Sequence, residues 1–195
     1  CKVFLASSGL VFQNNGKPIC EDDPLALDSA YALTRAEALL SARYFRQRGR
    51  KVFVGFLFNH ESPLRPPASV VRQVVADVVR VSRGSLEKIK LGNANVVKEW
   101  TWAGDTVQAM ITLINQDEIF EANIGSGVGY SIREFATECS QIFGLELNDH
   151  IEEMTGFVPQ YPSLISDPSR IKSLGWKPHV GFNELARKMV EAEIQ

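Results

Sequence analysis

The chain has 195 residues, 45% of them hydrophobic and 23% charged, with a formal net charge of −2. This is the composition of a globular protein with one large or two small domains, and it excludes a disordered tail and a basic nucleic-acid-binding surface. No apolar run approaches the length of a bilayer span, and Cys1-Lys2-Val3-Phe4-Leu5-Ala6 lacks the charged leader and long apolar core of a signal peptide, so neither membrane nor secretion is expected.

Lys2 to Ala6 reads as a buried strand that breaks at Ser7-Ser8-Gly9, with Leu10 to Phe12 a brief continuation. Asn14-Asn15-Gly16-Lys17-Pro18 is turn chemistry. Glu21-Asp22-Asp23-Pro24 is expected to be a solvated acidic loop. Asp28 or Ser29 can cap a helix from about Ala30 to Arg48, in which Leu33, Ala36, Leu39, Leu40 and Phe45 recur at helical spacing and which Gly49 ends. Lys51 to Phe58 predicts the next strand, and such a strand–helix–strand unit implies a parallel pair with a right-handed crossover.

Next comes Leu57-Phe58-Asn59-His60-Glu61-Ser62-Pro63-Leu64-Arg65. Ligands of open α/β sheets gather beyond the carboxyl ends of the strands, so this stretch offers hydrogen-bonding groups where a polar ligand would sit. Taken alone it reads as a plain polar loop. Pro66-Pro67 restart the chain into a helix over Ser69 to Ser82, whose many valines are expected to pack. Arg72 and Gln73 lie on the less apolar side of its first turn, where free N–H groups favour anions.

Lys88 to Leu91 predicts a short strand ending at Gly92-Asn93, and Ala103 to Asn115 a helix entered through Lys98-Glu99-Trp100-Thr101-Trp102. Ile119 to Ile124 is a strand before Gly125-Ser126-Gly127-Val128-Gly129, which lacks the G-x-G-x-x-G spacing of a dinucleotide turn and is read as a loop. Ser131-Ile132-Arg133-Glu134 is a capping box opening a helix to about Phe143. Asp167-Pro168 opens a short helix, with Asp167 as its N-cap, and Phe182 to Glu193 is the last helix.

A chain that opens directly in a strand must find neighbours for that strand's backbone hydrogen bonds. The expectation is the C-terminal part of a longer protein, or a chain that completes its sheet by association. Cys1, Cys20 and Cys139 are odd in number and widely spaced, which suits a reducing cytoplasm better than a disulfide framework. The scattered His60, His150 and His179 leave no zinc spacing.

Several separated features resemble one family. They are the strand ending in Ser7-Ser8, Tyr31-Ala32-Leu33-Thr34-Arg35 at a helix start, and Asn59-His60-Glu61-Ser62-Pro63 with Arg65. To these add Val70 with Arg72, Leu91-Gly92-Asn93, Lys98-Glu99-Trp100, and Asp167-Pro168-Ser169 through Leu174-Gly175-Trp176-Lys177-Pro178. Together they resemble the extended short-chain dehydrogenase/reductases, and within them the GDP-mannose 4,6-dehydratases. The resemblance implies an α/β fold: the C-terminal part of a Rossmann-type parallel sheet plus a small mixed α/β substrate-binding domain. Residues 1–59 would be the last two strands and catalytic helix of the dinucleotide-binding domain. Residues 60–195 would be the nucleotide-sugar-binding domain, with a partial return to the Rossmann domain. The family's glycine-rich NADP turn has no counterpart in this sequence, so NADP binding is expected to need an N-terminal half.

The resemblance also implies roles. Tyr31 matches the tyrosine that takes and returns the proton of the sugar hydroxyl, and Ser8, or Ser7 in the alternate register, the hydroxyl that positions the sugar oxygen. Arg35 stands where a lysine is usual, whose charge favours the phenolate and which also bonds the cofactor ribose. The family's Glu, the base for elimination, falls at Gly9 or Leu10, and neither can move a proton. Asn59, Arg65 and Lys98 resemble substrate-binding positions, Val70 could pack on the base or in the core, and Arg72 resembles a cofactor contact; Arg and Lys supply the charge-assisted donors a diphosphate wants. A later family segment that holds the nucleoside is blurred into Phe157-Val158-Pro159-Gln160. The implied function is an NADP-dependent, GDP-mannose 4,6-dehydratase-like enzyme on a GDP-linked hexose, with its elimination step in question. A 4-keto reductase or epimerase, or a catalytically silent nucleotide-sugar binder, are the alternatives. Apolar residues over more than one face of the Ala30–Arg48 helix point to a homodimer or homotetramer.

Overall fold

A computed structural model describes every residue of the chain except 155, 157 and 160. Its elements are β1 (Lys2–Ser8), a one-turn 3-10 helix (Gly9–Val11), α1 (Ala30–Gln47), β2 (Lys51–Leu57), β3 (His60–Glu61), α2 (Val70–Ser82), β4 (Ile89–Leu91), β5 (Val97–Glu99), β6 (Thr101–Trp102) and α3 (Ala103–Ile114). They continue with β7 (Glu121–Ile124), β8 (Gly129–Ser131), α4 (Ile132–Gln141), a second 3-10 turn (Leu147–Asp149), β9 (Ile151–Glu153), β10 (Ser163–Leu164), α5 (Ser169–Ser173) and α6 (Phe182–Ile194).

β1, β2 and β7 form a parallel sheet in that order, with Ser8 level with Leu57 and Leu57 level with Ile124. Successive residues of β2 point to opposite faces. Val52, Val54 and Phe56 pack toward α1 together with Val11, Ala36 and Leu39, while Phe53 joins Leu113, Ile124, Ile171 and Trp176 under α3 and α5. Burial on both faces is why β2 is a continuous apolar run rather than an alternating one. Gly55 leaves room there: a β-carbon would stand 2.6 Å from the Phe4 ring and 2.8 Å from the end of Ile124, and both side chains would have to shift. The reading from sequence places two parallel strands in this sheet; β7 is a third. The strand itself is legible at Ile119–Ile124, but its partner lies far away in the chain, and periodicity says nothing about that. β1 is an edge, paired among the described residues only with β2.

α1 starts where Ser29, not Asp28, accepts the Ala32 N–H at 3.1 Å, and it stops at Gly49, whose φ of +76° continues the chain out of the helix. A second core gathers the valines of α2 with Ile89, Leu91, Phe135, Leu185 and Met189 from β4, α4 and α6. Trp100 anchors it, stacked on Phe135 with centroids 4.8 Å apart and its Nε1–H donated to Tyr130 O at 2.8 Å. The capping box at Ser131 and Glu134 forms as expected. The N-cap of α5 is Pro168 rather than Asp167, although Asp167 Oδ1 still accepts the Ser169 N–H at 2.9 Å.

Two expectations fail outright. Glu21 is not solvated: it is 4% exposed, accepts the Asn123 N–H at 2.6 Å and pairs with Arg170 at 3.4 Å, so it stitches the loop after β1 to β7. The stretch after β2 is not all loop, because His60 and Glu61 pair in parallel with Thr101 and Trp102 of β6. Among the described residues no helix is long and apolar enough to cross a membrane, and all three cysteines are free.

Candidate functional site

The parallel register brings the ends of β1 and β2 side by side, and beyond them opens a cleft of about 320 Å³. Ser7, Ser8, Leu10, Tyr31, Arg35, Asn59, His60 and Arg65 line it, with Tyr161 and Leu164 opposite. Five of the residues singled out from sequence as catalytic or substrate-binding, Ser8, Tyr31, Arg35, Asn59 and Arg65, therefore share one cavity. Each is positioned by its element. Ser8 caps the 3-10 turn, its Oγ accepting the Leu10 N–H at 3.2 Å, which leaves its own proton free to donate. Tyr31, about half exposed, sits in the first turn of α1. Arg35 follows one turn later, its guanidinium 5.1 Å from the Tyr31 ring centroid and one nitrogen donating to Ala6 O at 3.3 Å. The buried Nε of Arg35 has no hydrogen-bond partner among the described residues. Asn59 is held by its backbone, which accepts the Thr101 N–H at 3.2 Å, and its buried Oδ1 is also without a partner among the described residues.

His60 Nδ1 lies 2.9 Å from the Phe58 carbonyl. A carbonyl only accepts, so Nδ1 carries a proton and donates it to Phe58. Ser7 is nearly buried with an unpartnered Oγ. At Gly9 a β-carbon would overlap the Phe58 ring, so no side chain fits there without displacing it. Leu10 is the residue that lines the cleft. Of the two positions set against the family's Glu, Leu10 faces the cleft and Gly9 does not line it.

A second cleft of about 360 Å³ lies between the start of α2 and β4–β5, lined by Val70, Gln73, Lys90, Asn93, Lys98 and Tyr161 among others. Val70 is half-buried, touching both this cleft and the core. Tyr161 borders both clefts, and burial pushes its phenol up. Arg72 lines neither. One of its nitrogens bonds Glu193 on α6 at 2.7 Å and another donates to the Pro63 carbonyl, so it ties the loop after β3 to the last helix.

Between the clefts lies Glu61, 2% exposed. Its Oε2 stands 3.1 Å from Arg65 Nε, an ion pair whose N–H direction misses the oxygen, so neither atom has a well-formed hydrogen bond. Burial pushes the carboxyl up to about 7, against the pull of Arg65 and Lys98. Lys98 is pushed down by its own burial, and Glu61 opposes that shift. Sequence reasoning passes over Glu61 and Tyr161 as site residues. The sequence holds no signal for Tyr161. For Glu61 the signal was its position two residues past Asn59, at the end of a buried strand.

A family profile described as GDP-mannose 4,6 dehydratase matches residues 1–189. The chain belongs to the GDP-mannose 4,6 dehydratase family. It is 31% identical over 198 residues to GDP-mannose 4,6 dehydratase 1 of Arabidopsis thaliana, covering 100% of this chain and 55% of that protein. It is 30% identical over 199 residues to the human GDP-mannose 4,6 dehydratase, covering 91% and 54%. The chain thus spans about half the length of these curated relatives. Among solved structures, RMD from Pseudomonas aeruginosa complexed with NADPH superposes with a TM-score of 0.85 at 21% identity, over 97% of this chain and 65% of that one. UDP-N-acetylglucosamine 4-epimerase from Methanobrevibacter ruminantium gives 0.86 at 18%, over 99% and 63%. These likenesses establish the fold, part of a Rossmann-type epimerase/dehydratase structure.

For a GDP-mannose 4,6 dehydratase family member, two positions depart from the pattern described above. Leu10, one of the two positions set against the family's carboxylate, puts an apolar side chain into the cleft. Arg35 keeps the positive charge beside Tyr31 but in a larger, planar form. Phe157 and Gln160, in the segment compared with the family's nucleoside-holding loop, lie outside the described residues.

Proposed function

We propose that the chain is the catalytic-helix and nucleotide-sugar-binding part of an NADP-dependent enzyme acting on a GDP-linked hexose, with residues 1–59 on the cofactor side and 60–195 on the sugar-nucleotide side. What supports this is the convergence of Ser8, Tyr31, Arg35, Asn59 and Arg65 on one cleft beyond the ends of two parallel strands. The chemistry a bound NADP supplies is acceptance and return of a hydride at the sugar carbon. The chain's own residues do the rest. Ser8 orients the sugar hydroxyl, Tyr31 takes its proton, and the Arg35 cation stands beside the phenol. The unpartnered Arg35 Nε and the Tyr31 hydroxyl fit the nicotinamide-ribose end of the cofactor. Asn59, Arg65 and Lys98 take the sugar and the diphosphate, and Val70 packs on the base. Arg72 contributes by holding the loop that carries Arg65.

Leu10 favours a second reading of the same site. With no carboxylate at that position, oxidation or reduction at the 4-position, or epimerisation through it, needs fewer groups than loss of water does. In titration calorimetry the chain is expected to bind GDP-mannose, with Asn59→Ala and Arg65→Ala each weakening binding about tenfold or more, the scale of one hydrogen bond to a charged group. Binding unchanged in both variants would overturn the assignment. The same chain is not expected to bind NADPH tightly, because the glycine-rich turn that would hold the pyrophosphate is not in its sequence. Stoichiometric NADPH binding would support a complete cofactor site instead.

We also assign the chain to a homodimer or homotetramer of the cytoplasm. Leu33, Leu40, Tyr44 and Phe45 expose an apolar side of α1, and the free thiols suit a reducing compartment. Light scattering at micromolar concentration is expected to report at least twice the 21.7 kDa chain mass; a monomer contradicts the assembly.

A further inference from the structure

Glu61 has no role in the reading above, yet its placement is unusual. It is a carboxylate at the end of a two-residue strand, 2% exposed, with an oxygen that has no well-aligned donor among the described residues. A buried anion ordinarily collects hydrogen bonds or a well-aligned partner. Glu61 has instead an off-axis guanidinium at 3.1 Å and the charge of Lys98. Arg65 lines the first cleft and Lys98 the second. One internal anion thus faces one cation from each of two adjoining cavities. The charged and titratable groups around it are Arg65 in the turn that follows, Lys98 on β5, and His60 beside it in the strand; its β6 register partner is the uncharged Trp102.

We propose that Glu61 is the resident counter-ion of a diphosphate subsite: it balances Arg65 and Lys98 while the cleft is empty, and takes up a proton from solvent when a diphosphate replaces it. This rests on the nucleotide-sugar reading and deepens it. The balance is simple. The ligand brings negative charge to Arg65, already paired with the carboxylate, and to Lys98, whose charge acts on it from farther off, and adding H⁺ to that carboxylate removes the repulsion without moving either cation. A carboxyl that burial has already brought to about 7 needs little further push to hold the proton near neutral pH.

GDP-mannose is the probe, because its two phosphates, each esterified, do not titrate near neutrality. Calorimetry at about pH 7 in two buffers of different ionisation enthalpy is expected to show uptake of about 0.4 proton per ligand bound, and affinity falling about fivefold from roughly pH 6 to pH 8, the part of the tenfold limit set by a one-unit rise in the Glu61 pKa that falls in this window. Glu61→Gln is expected to abolish both the uptake and the slope, leaving tighter binding than wild type at the upper pH. His60→Asn is expected to retain the uptake. Binding without uptake, or a slope that survives Glu61→Gln, overturns the proposal, and the wild-type proton count stands even if that variant fails to fold. If GDP-mannose does not bind at all, the nucleotide-sugar reading fails. Sulfate then reads the subsite in the same buffers: uptake with sulfate upholds the counter-ion, and its absence rejects it.

Discussion

Truncation of Phe56 to alanine is expected to destabilise the chain by about 3–5 kcal/mol, the range for losing a fully enclosed phenylalanine. Phe56 is completely buried on the α1 face of β2 and meets Phe12 edge-on with ring centroids 4.7 Å apart. Phe12 and Phe58 lie in the same core, and Phe58 also lines the first cleft, so the cavity cannot collapse without moving the cleft wall. Urea unfolding should show the change as a shifted midpoint at constant slope. Leu86, 97% exposed, is the control, and its replacement by alanine should stay within about 0.5 kcal/mol. A loss below about 1.5 kcal/mol at Phe56 would mean that this core is not closed in solution.

The second large effect concerns Leu10. Replacing it by glutamate, in a chain supplied with the rest of the cofactor-binding fold, is expected to raise dehydration of GDP-mannose by about 10²–10⁴-fold, the usual contribution of a positioned general base. Leu10 already lines the cleft with Ser8 and Tyr31, so the new carboxylate enters solvent-accessible space. Gly9→Glu is the contrasting variant: its β-carbon would run into the Phe58 ring, and the overpacking should lower stability by about 1–3 kcal/mol without restoring turnover. A Leu10→Glu protein that binds GDP-mannose but forms no 4-keto, 6-deoxy product would reject this position as the missing base.

Much of the architecture was readable because it is local. α1 announces itself by Ser29, a helical apolar period and Gly49; α4 by the Ser131 and Glu134 box; β2 by an unbroken apolar run. What escaped is long-range. Strands of two or three residues such as β3, β6 and β10 exist only because a distant segment pairs with them. Glu21 resembles any loop acid until Asn123, 102 residues later, places its N–H against it. The site followed the same division. The residues of the first cleft could be proposed through the resemblance, because each follows a recognisable strand or helix start. Arg72 could not be judged from its place in a first turn, since its partner Glu193 lies in the last helix. Glu61 was half hidden: its place two residues past Asn59 pointed to the site, while its residue type concealed its burial.

The outer edge of β1 carries a further consequence, for handling the chain. A parallel strand with one free side presents a row of unpaired N–H and C=O groups, a template on which another strand can add. Lys2 guards its first residue through an ion pair to Asp117 at 2.9 Å, but Val3-Phe4-Leu5-Ala6 has neither charge nor proline to blunt it, and Val3 is 45% exposed. The surface through which a complementary half would complete the sheet is therefore the same surface through which unpartnered copies would aggregate.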